Sequence, residues 1–574
     1  MAQWDGLIAD KLRDRASKIP PEWVLPETII NQITQDANIS AFDILRHHDL
    51  LSREEVAITE SYDAQSLHQE IIEGRLTSLQ VCKAFCKRAA IAQQLTNCAT
   101  EILFAEAFKR AEFLDGYLAK YGRPYGPFHG LPISVKVSLR FQSQIISLGL
   151  AITGADTLTS TMTTNLTTQQ DSFNIKGQAT TIGFVSFLGN PVAAENSPLV
   201  DILLANGAIL YIKTNIPQTL LTMDSVNNIF GRTLNPHKLC LSAGGSSGGE
   251  GALVAFRGSI LGVGTDVGGS IRAPSLCNGT YGFKPTADRI PHGRVELGDR
   301  PGTPGLVSAV GPLANSASDL TFFCKTILSS EPWRYDSTAL GTAWRHVPPK
   351  KKLSIGVYMG DEHFPLFPPV KRALSSAQAA LENAGHSVHL VTNAPSFHDG
   401  LKLAARYFLF DTKQTLLQHV LDGDEQPIKA LEYASPAALA GLQNPTLTLD
   451  DVWDANASLM AYREKMAEVW KQHNLDVLIC PGHWSTAGPH DTYGPPVYTV
   501  IWNLLNFPAS IIPYLKADKS LDSEVCKGYD PDAVDGAPTA IQVVGRRFQD
   551  EEVLMATEVI DKALRSDLRY RPRL

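Results

Sequence analysis

The sequence predicts an α/β protein with a largely parallel central sheet, and three stretches carry that expectation. Residues 352–358 (KLSIGVY), 369–385 (PVKRALSSAQAALENAG) and 386–391 (HSVHLV) read as strand, helix and strand, with Pro369 near the helix start and Gly385 at its end. GAILYIKTNIP (207–217) reads as a buried strand stopped by Pro217. GALVAFRGSILGVGTDVGGS (251–270) has few charges and many glycines, and reads as a helix followed by a strand through the core. Strands alternating with helices favour α/β architecture.

The first hundred or so residues look helical. TSLQVCKAFCKRAAIAQQL opens at Thr77, a residue suited to cap a helix, and repeats apolar residues at helical spacing. EILFAEAFKRAEFLDGYLAKYG continues the pattern to Gly122, a suitable stop. A helical N-terminal segment, 1–74, is expected to precede the main domain. No internal repeat is evident.

Composition narrows the function. The 574 residues are 44% hydrophobic and 19% charged, with Gly 43 and Pro 35, which suits a loop-rich enzyme better than a helical bundle. The net charge of −8 argues against a nucleic-acid or anionic-membrane partner. The eight cysteines show neither paired zinc spacing nor a disulfide framework, and read as free thiols of a reducing compartment. The N-terminus lacks an apolar leader core, and no run approaches the ~18 apolar residues of a membrane span. These features point to a cytoplasmic protein with no membrane partner and no metal.

Two glycine–serine clusters concentrate the chemistry: SAGGSSGGEGA (242–252) and GVGTDVGGSIRAPS (262–275). A phosphate cradle is one reading, but neither cluster ends in GK[ST], and Gly262, Gly264 and Gly268 miss dinucleotide spacing by one residue. A nucleophile elbow is another, since Gly244-Gly245-Ser246-Ser247-Gly248 matches GxSxG; it requires a preceding strand, and NPHKLCLSAGG reads as loop. The third reading needs both clusters and a lysine. A serine hydroxyl is a poor nucleophile until a base takes its proton. A desolvated lysine can be that base, and Lys136 follows the apolar run GLPISV. A second serine can relay the proton, and N–H groups of a glycine turn such as DVGGS can hold an oxyanion.

The run GGSSGGEGALVA, then GVGTDVGGSIRAPS, then GTYGFKPT resembles the signature of the amidase signature family of serine hydrolases, and GLPISVK resembles that family's catalytic-lysine segment. KTNIPQTLLTMDSVNNIFGRTLNP and GAPTAIQVVGRRFQDEEVLMA are similar as well, so the resemblance spans roughly residues 75–565. It implies one large domain with a mixed, mostly parallel sheet covered by helices on both faces. By motif position it makes Lys136 the general base, Ser246 the bridging serine after a cis peptide at Gly245, and Ser270 the nucleophile. The backbone N–H groups of Val267, Gly268, Gly269 and Ser270 would form the oxyanion hole, and Leu220 would touch substrate. No cofactor is implied. The reaction is two-step hydrolysis of a small-molecule amide through an acyl-enzyme.

Other residues read as support. Asp266 and Arg272 flank the nucleophile as an ion pair or loop brace, Cys277 as core packing, and His237 and His292 as ordinary loop residues. The N-terminal segment and NLLNFPASIIPY are similar to fungal acetamidases and general amidases; fatty-acid-amide hydrolysis is the alternative within the family. A homodimer is expected to be possible. The pocket should draw on 408–505, and 350–480 is the expected substrate-side subregion.

One stretch breaks the pattern. Residues 137–170 are rich in Thr and carry only Arg140 and Asp156 as charges. Without these 34 residues the text reads GLPISVKDSFNIKG, as the family segment does. The segment reads either as a loop insertion or as a retained intron. Val-Ser can be encoded by a donor-like GTGAGT, Leu-Thr can contain a branch-like CTGAC, and a final Gln codon CAG ends as an acceptor would. An inactive, amidase-like protein damaged by this insertion is the corresponding non-enzyme reading.

Overall fold

The computed structural model describes residues 2–136, 173–295, 298, 300, 302, 305–433, 435–442 and 446–566. The insertion expected at 137–170 lies outside them.

Among the described residues, thirteen strands occur. They are β1 (Ala99–Ile102), β2 (Pro132–Lys136), β3 (Ile209–Thr214), β4 (Val226–Asn227), β5 (Gly231–Arg232), β6 (Leu261–Asp266), β7 (Tyr281–Lys284), β8 (Ala309–Ala314), β9 (Ser354–Val357), β10 (Ser387–Leu390), β11 (Val477–Cys480), β12 (Ala509–Lys516) and β13 (Pro538–Val544). Eleven form one sheet in the order β1-β3-β2-β6-β8-β7-β12-β13-β11-β9-β10, and β4 and β5 make a separate ribbon.

The sheet is mixed, as expected, but parallel pairing does not dominate. β2–β3, β2–β6, β9–β10 and β9–β11 run parallel. The other six pairings are antiparallel. The 352–391 unit is a right reading of one end: β9 and β10 pair in parallel across the helix Pro368–Asn383. The middle departs from it because β6, β7, β8, β12 and β13 pair side by side in opposite directions, a choice that periodicity within one strand does not encode.

Local signals set the element ends. Thr77 caps the helix Ser78–Thr96 in a reciprocal box with Gln80. Gly122, at φ 62°, ends the helix Phe104–Tyr121. Four further helices, Ala2–Ser17, Ala41–His47, Arg53–Glu60 and Ala64–Ile72, account for most of the N-terminal segment.

Strand alternation separates two cores. Ile133, Val135, Leu261 and Val263 turn to the face that packs the helices Ala317–Ser329, Pro368–Asn383 and Asp550–Ser566. Each such buried aliphatic side chain contributes roughly 1.5–3 kcal/mol. Ser134, between the two β2 hydrophobes, bonds a residue of the helix Gly248–Ala255 on the other face, and Lys136 shares its parity. Close approach there needs glycine: a Cβ at Gly249 would lie 2.4 Å from Asn215 N and 2.5 Å from Cys98 O. The lysine thus ends a fully buried strand, aimed at the glycine–serine helix.

Candidate active site

Lys136 is the last residue of β2 and has no exposed surface. Its Nζ donates to Ser246 Oγ at 2.8 Å, to Thr265 Oγ1 at 3.0 Å and to Thr265 O at 3.4 Å. Burial pushes its ammonium down to about 7, against the pull of the Asp266 and Glu250 charges. An amine that is free near neutrality can accept a proton.

Ser246 sits where the Gly244–Ser247 turn enters the helix Gly248–Ala255, and the Gly245–Ser246 peptide is cis. The turn fits because its glycines meet backbone: a Cβ at Gly245 would lie 2.3 Å from Thr222 O. Ser225 Oγ donates to Gly244 O and accepts from Gly248 N, pinning both ends. Between β5 and Ser246 there are only isolated bridges, Leu234 to Ser242 and Leu241 to Pro489. The strand required by a nucleophile elbow is not there.

Ser270 follows β6 and precedes the helix Arg272–Asn278. It is 7% exposed and lines an open slot. Ser247 N donates to Ser270 O at 3.1 Å, which ties the two glycine–serine turns together. Asp266 organises the second turn. Its carboxylate accepts from Gly269 N at 2.8 Å, Ile271 N at 3.1 Å and Arg272 N at 3.4 Å, and from the Arg272 guanidinium through Nε at 2.9 Å and Nη2 at 2.8 Å. Burial would raise this carboxyl, but the Arg272 charge and these donors hold it at about 2. Arg272 also donates to Thr499 O, Gln542 Oε1 and Asn503 Oδ1. The expected ion pair is therefore a fully buried brace.

Of the four N–H groups that the resemblance implies as oxyanion donors, those of Val267, Gly268, Gly269 and Ser270, that of Gly269 donates to Asp266 Oδ1 in this structure. Gly269 still has a role, because its φ of 138° and the 2.3 Å its Cβ would leave to Thr499 Oγ1 favour glycine there.

The slot before Ser270 is apolar. Its cavity volume is about 60 Å³, or about 710 Å³ of free space with the open mouth counted. Leu220, Val267, Gly268, Leu401, Ala404 and Phe408 line it together with Ser270. Leu220, the residue expected to touch substrate, lines the slot in a left-handed pair with Thr219. Leu221, Thr222 and Met223 were not anticipated as lining, nor were the residues before 408 on the helix Phe397–Phe408. Among the described residues, no charged one lines the slot.

All eight cysteines are free, and Cys277 is buried beside the second turn. His237 Nε2 lies 3.0 Å from Asn278 O, and His292 is buried in a loop. Sequence reasoning missed Glu250 and Thr265. A carboxylate alone in the uncharged run GGEGALVA was the available signal for the first. Among the described residues, no cluster of His, Cys, Asp and Glu suits a metal, and no helix is long and apolar enough to cross a membrane.

Comparison with known proteins follows the geometry. A family model described as Amidase matches residues 80–169 and 170–554, two blocks that meet at the end of the threonine-rich segment. An "Amidase" of Gibberella moniliformis is 45% identical over 98% of this chain and 99% of its own. An "Acetamidase" of Emericella nidulans is 36% identical over 98% of both. A solved "Fatty acid amide hydrolase" superposes with a TM-score of 0.86 at 29% identity, over 97% of this chain and 95% of that one.

Proposed function

The chain belongs to the amidase family, and from that premise we propose that it is a serine amidase acting on neutral amides with an apolar acyl group. It hydrolyses an amide carbon–nitrogen bond. Ser270 Oγ attacks the carbonyl carbon while its proton passes to Ser246, and the Ser246 proton passes to Lys136. The oxyanion is held by the N–H groups of Val267, Gly268 and Ser270. Collapse expels ammonia or an amine, which carries away the proton from Lys136. Water then attacks the Ser270 ester, with the same lysine as base.

One observation carries this reading: a fully buried lysine 2.8 Å from Ser246, next to a turn tied to that of Ser270. The proton sign is consistent. Lys136 accepts only as a free amine, so activity falls as pH drops through about 7.

The acyl group is assigned from the slot. Its narrow bore and uncharged lining suit short to medium aliphatic chains and flat aryl groups, and disfavour charged acyl groups. The acetamidase relatives fit the short end of that range. The likeness to a fatty acid amide hydrolase supports a second reading, longer chains extending through the open mouth.

The test is labelling with a fluorophosphonate probe alongside ammonia release from hexanamide. The parent should label and turn over, and Ser270→Ala should do neither. A Ser270→Ala protein labelled as strongly as the parent would overturn the assignment.

A further inference from the structure

Glu250 is a charged residue in a place that otherwise excludes charge. It lies in the first turn of the helix Gly248–Ala255, has no exposed surface, and sits four residues after Ser246. Its two oxygens are held from two neighbouring strands. Ser134 Oγ on β2 donates to Oε2 at 2.6 Å, and Thr214 Oγ1 on β3 donates to Oε1 at 2.9 Å. Ser134 precedes Lys136 by two residues, and Thr214 is the cross-strand partner of Lys136. The carboxyl therefore joins the relay helix to both strands that frame the lysine. Gly262 on β6 leaves room for it, since a Cβ there would lie 2.3 Å from Oε2.

We propose that Glu250 is a positioning residue for the reaction, the buried carboxyl whose charge decides whether Lys136 is an ammonium or a free amine. This rests on Lys136 being the base. As a carboxylate, Glu250 favours the ammonium and holds the lysine out of action. When Glu250 takes up a proton, that pull is gone and Lys136 releases its own proton more readily. One proton thus serves two groups, and the state ready for attack is a neutral lysine beside a neutral carboxyl. Burial pushes the Glu250 carboxyl up to about 8, against its two hydroxyl donors and the Lys136 charge, so both groups change state near neutrality.

Of the surrounding charges, Asp266 also pulls on the Lys136 ammonium, but it stays ionised through the neutral range and so shifts the lysine by a constant amount. On β6, Asp266 is committed to Arg272, the charged residue of the helix Arg272–Asn278. On β3, Lys213 Nζ reaches to Thr180. Cys98, Tyr211 and Cys277 are raised by burial and stay neutral. In the helix Ser78–Thr96, Arg88 is bound to Phe256 O and Glu60, beyond the far end of the relay helix. β8 presents no titratable side chain.

The experiment is the pH dependence of kcat/KM for hexanamide between pH 5.5 and 9. Glu250→Gln keeps the shape and both hydroxyl partners but fixes the neutral state. Its acid limb should move about one unit to lower pH and become a single step. Ser134→Ala removes a donor to the carboxylate, favours the protonated acid, and should move the limb in the same direction. A limb in Glu250→Gln that coincides with the parent's overturns the proposal and leaves Glu250 as a structural tie. Should Glu250→Gln fail to fold or turn over, Ser134→Ala decides: an unmoved limb rejects the idea. Failure of the underlying reading looks different, as a Lys136→Ala protein with parental rate or a parent with no acid limb at all.

Discussion

An apolar slot makes a quantitative demand on chain length. Each methylene moved from water into apolar surroundings contributes about 0.8 kcal/mol. If that contact is kept in the transition state, each added carbon raises kcat/KM about fourfold, since 1.36 kcal/mol is tenfold. Acetamide to hexanamide adds four methylenes, so the parent should gain roughly 200-fold across the series. Ala404→Phe is the perturbation. Ala404 is fully buried on the helix Phe397–Phe408 and lines a cavity of about 60 Å³, which a benzyl group would largely fill. Ammonia release from the five linear amides should show a slope that flattens beyond the first one or two methylenes, with acetamide least affected. Overpacking costs roughly 1–3 kcal/mol, so thermal melts of the variant confirm that it is folded. A flat series in the parent, or an Ala404→Phe series parallel to the parent's at lower rate, refutes the slot as the acyl site.

Four further outcomes are expected. Arg272→Met strips four partners and leaves Asp266 buried with its charge unpaired, so urea unfolding should show a loss of roughly 3–5 kcal/mol together with loss of probe labelling at Ser270. Because Asp266 is held at about 2, below an unfolded carboxyl, its stabilising contribution is complete above pH ~4 and lost as pH falls through about 2; Asp266→Asn should remove that part of the acid denaturation curve. Gly249→Ala forces a methyl to within 2.5 Å of backbone, so its melting temperature should drop and labelling should slow as the relay helix shifts. A chain lacking 137–170, with Lys136 joined directly to Asp171, should hydrolyse hexanamide faster than the 574-residue form; equal rates would make the segment an innocent insertion, and a mature transcript that encodes it would rule out the retained intron.

Much of the candidate site was readable because it is written in short, local runs. GGSSGG needs glycine where backbone meets backbone, DVGGS needs it for a positive φ beside Thr499, and GLPISVK sets a lysine at the end of an apolar strand; each need survives in the text. Thr77, Gly122 and Pro217 marked element ends for the same local reason. What was hidden depends on distance along the chain. The partners of Arg272 come from Asn503 and Gln542, and nothing in RAPS announces them. The antiparallel centre of the sheet escaped because strand direction is settled by neighbours. Leu401 and Ala404 look like any apolar helix face, and only the fold reveals that they line the slot together with Ser270. Glu250 was visible as an anomaly, yet its meaning required knowing that Ser134 and Thr214 flank the lysine.

The long reach of Arg272 has a consequence for how the protein comes into being. Chains are made from the N-terminus and tend to fold in that order. Lys136, Ser246 and Ser270 all emerge in the first half, and nothing in their own segments is missing at that point. Gln542, which holds the Arg272 guanidinium and also donates to Tyr498 O and Pro481 O, is among the last 33 residues. A nascent or truncated chain would therefore carry the whole catalytic alphabet without being able to spell with it. Competence arrives with the final strand, so a broken copy is silent rather than a stray hydrolase.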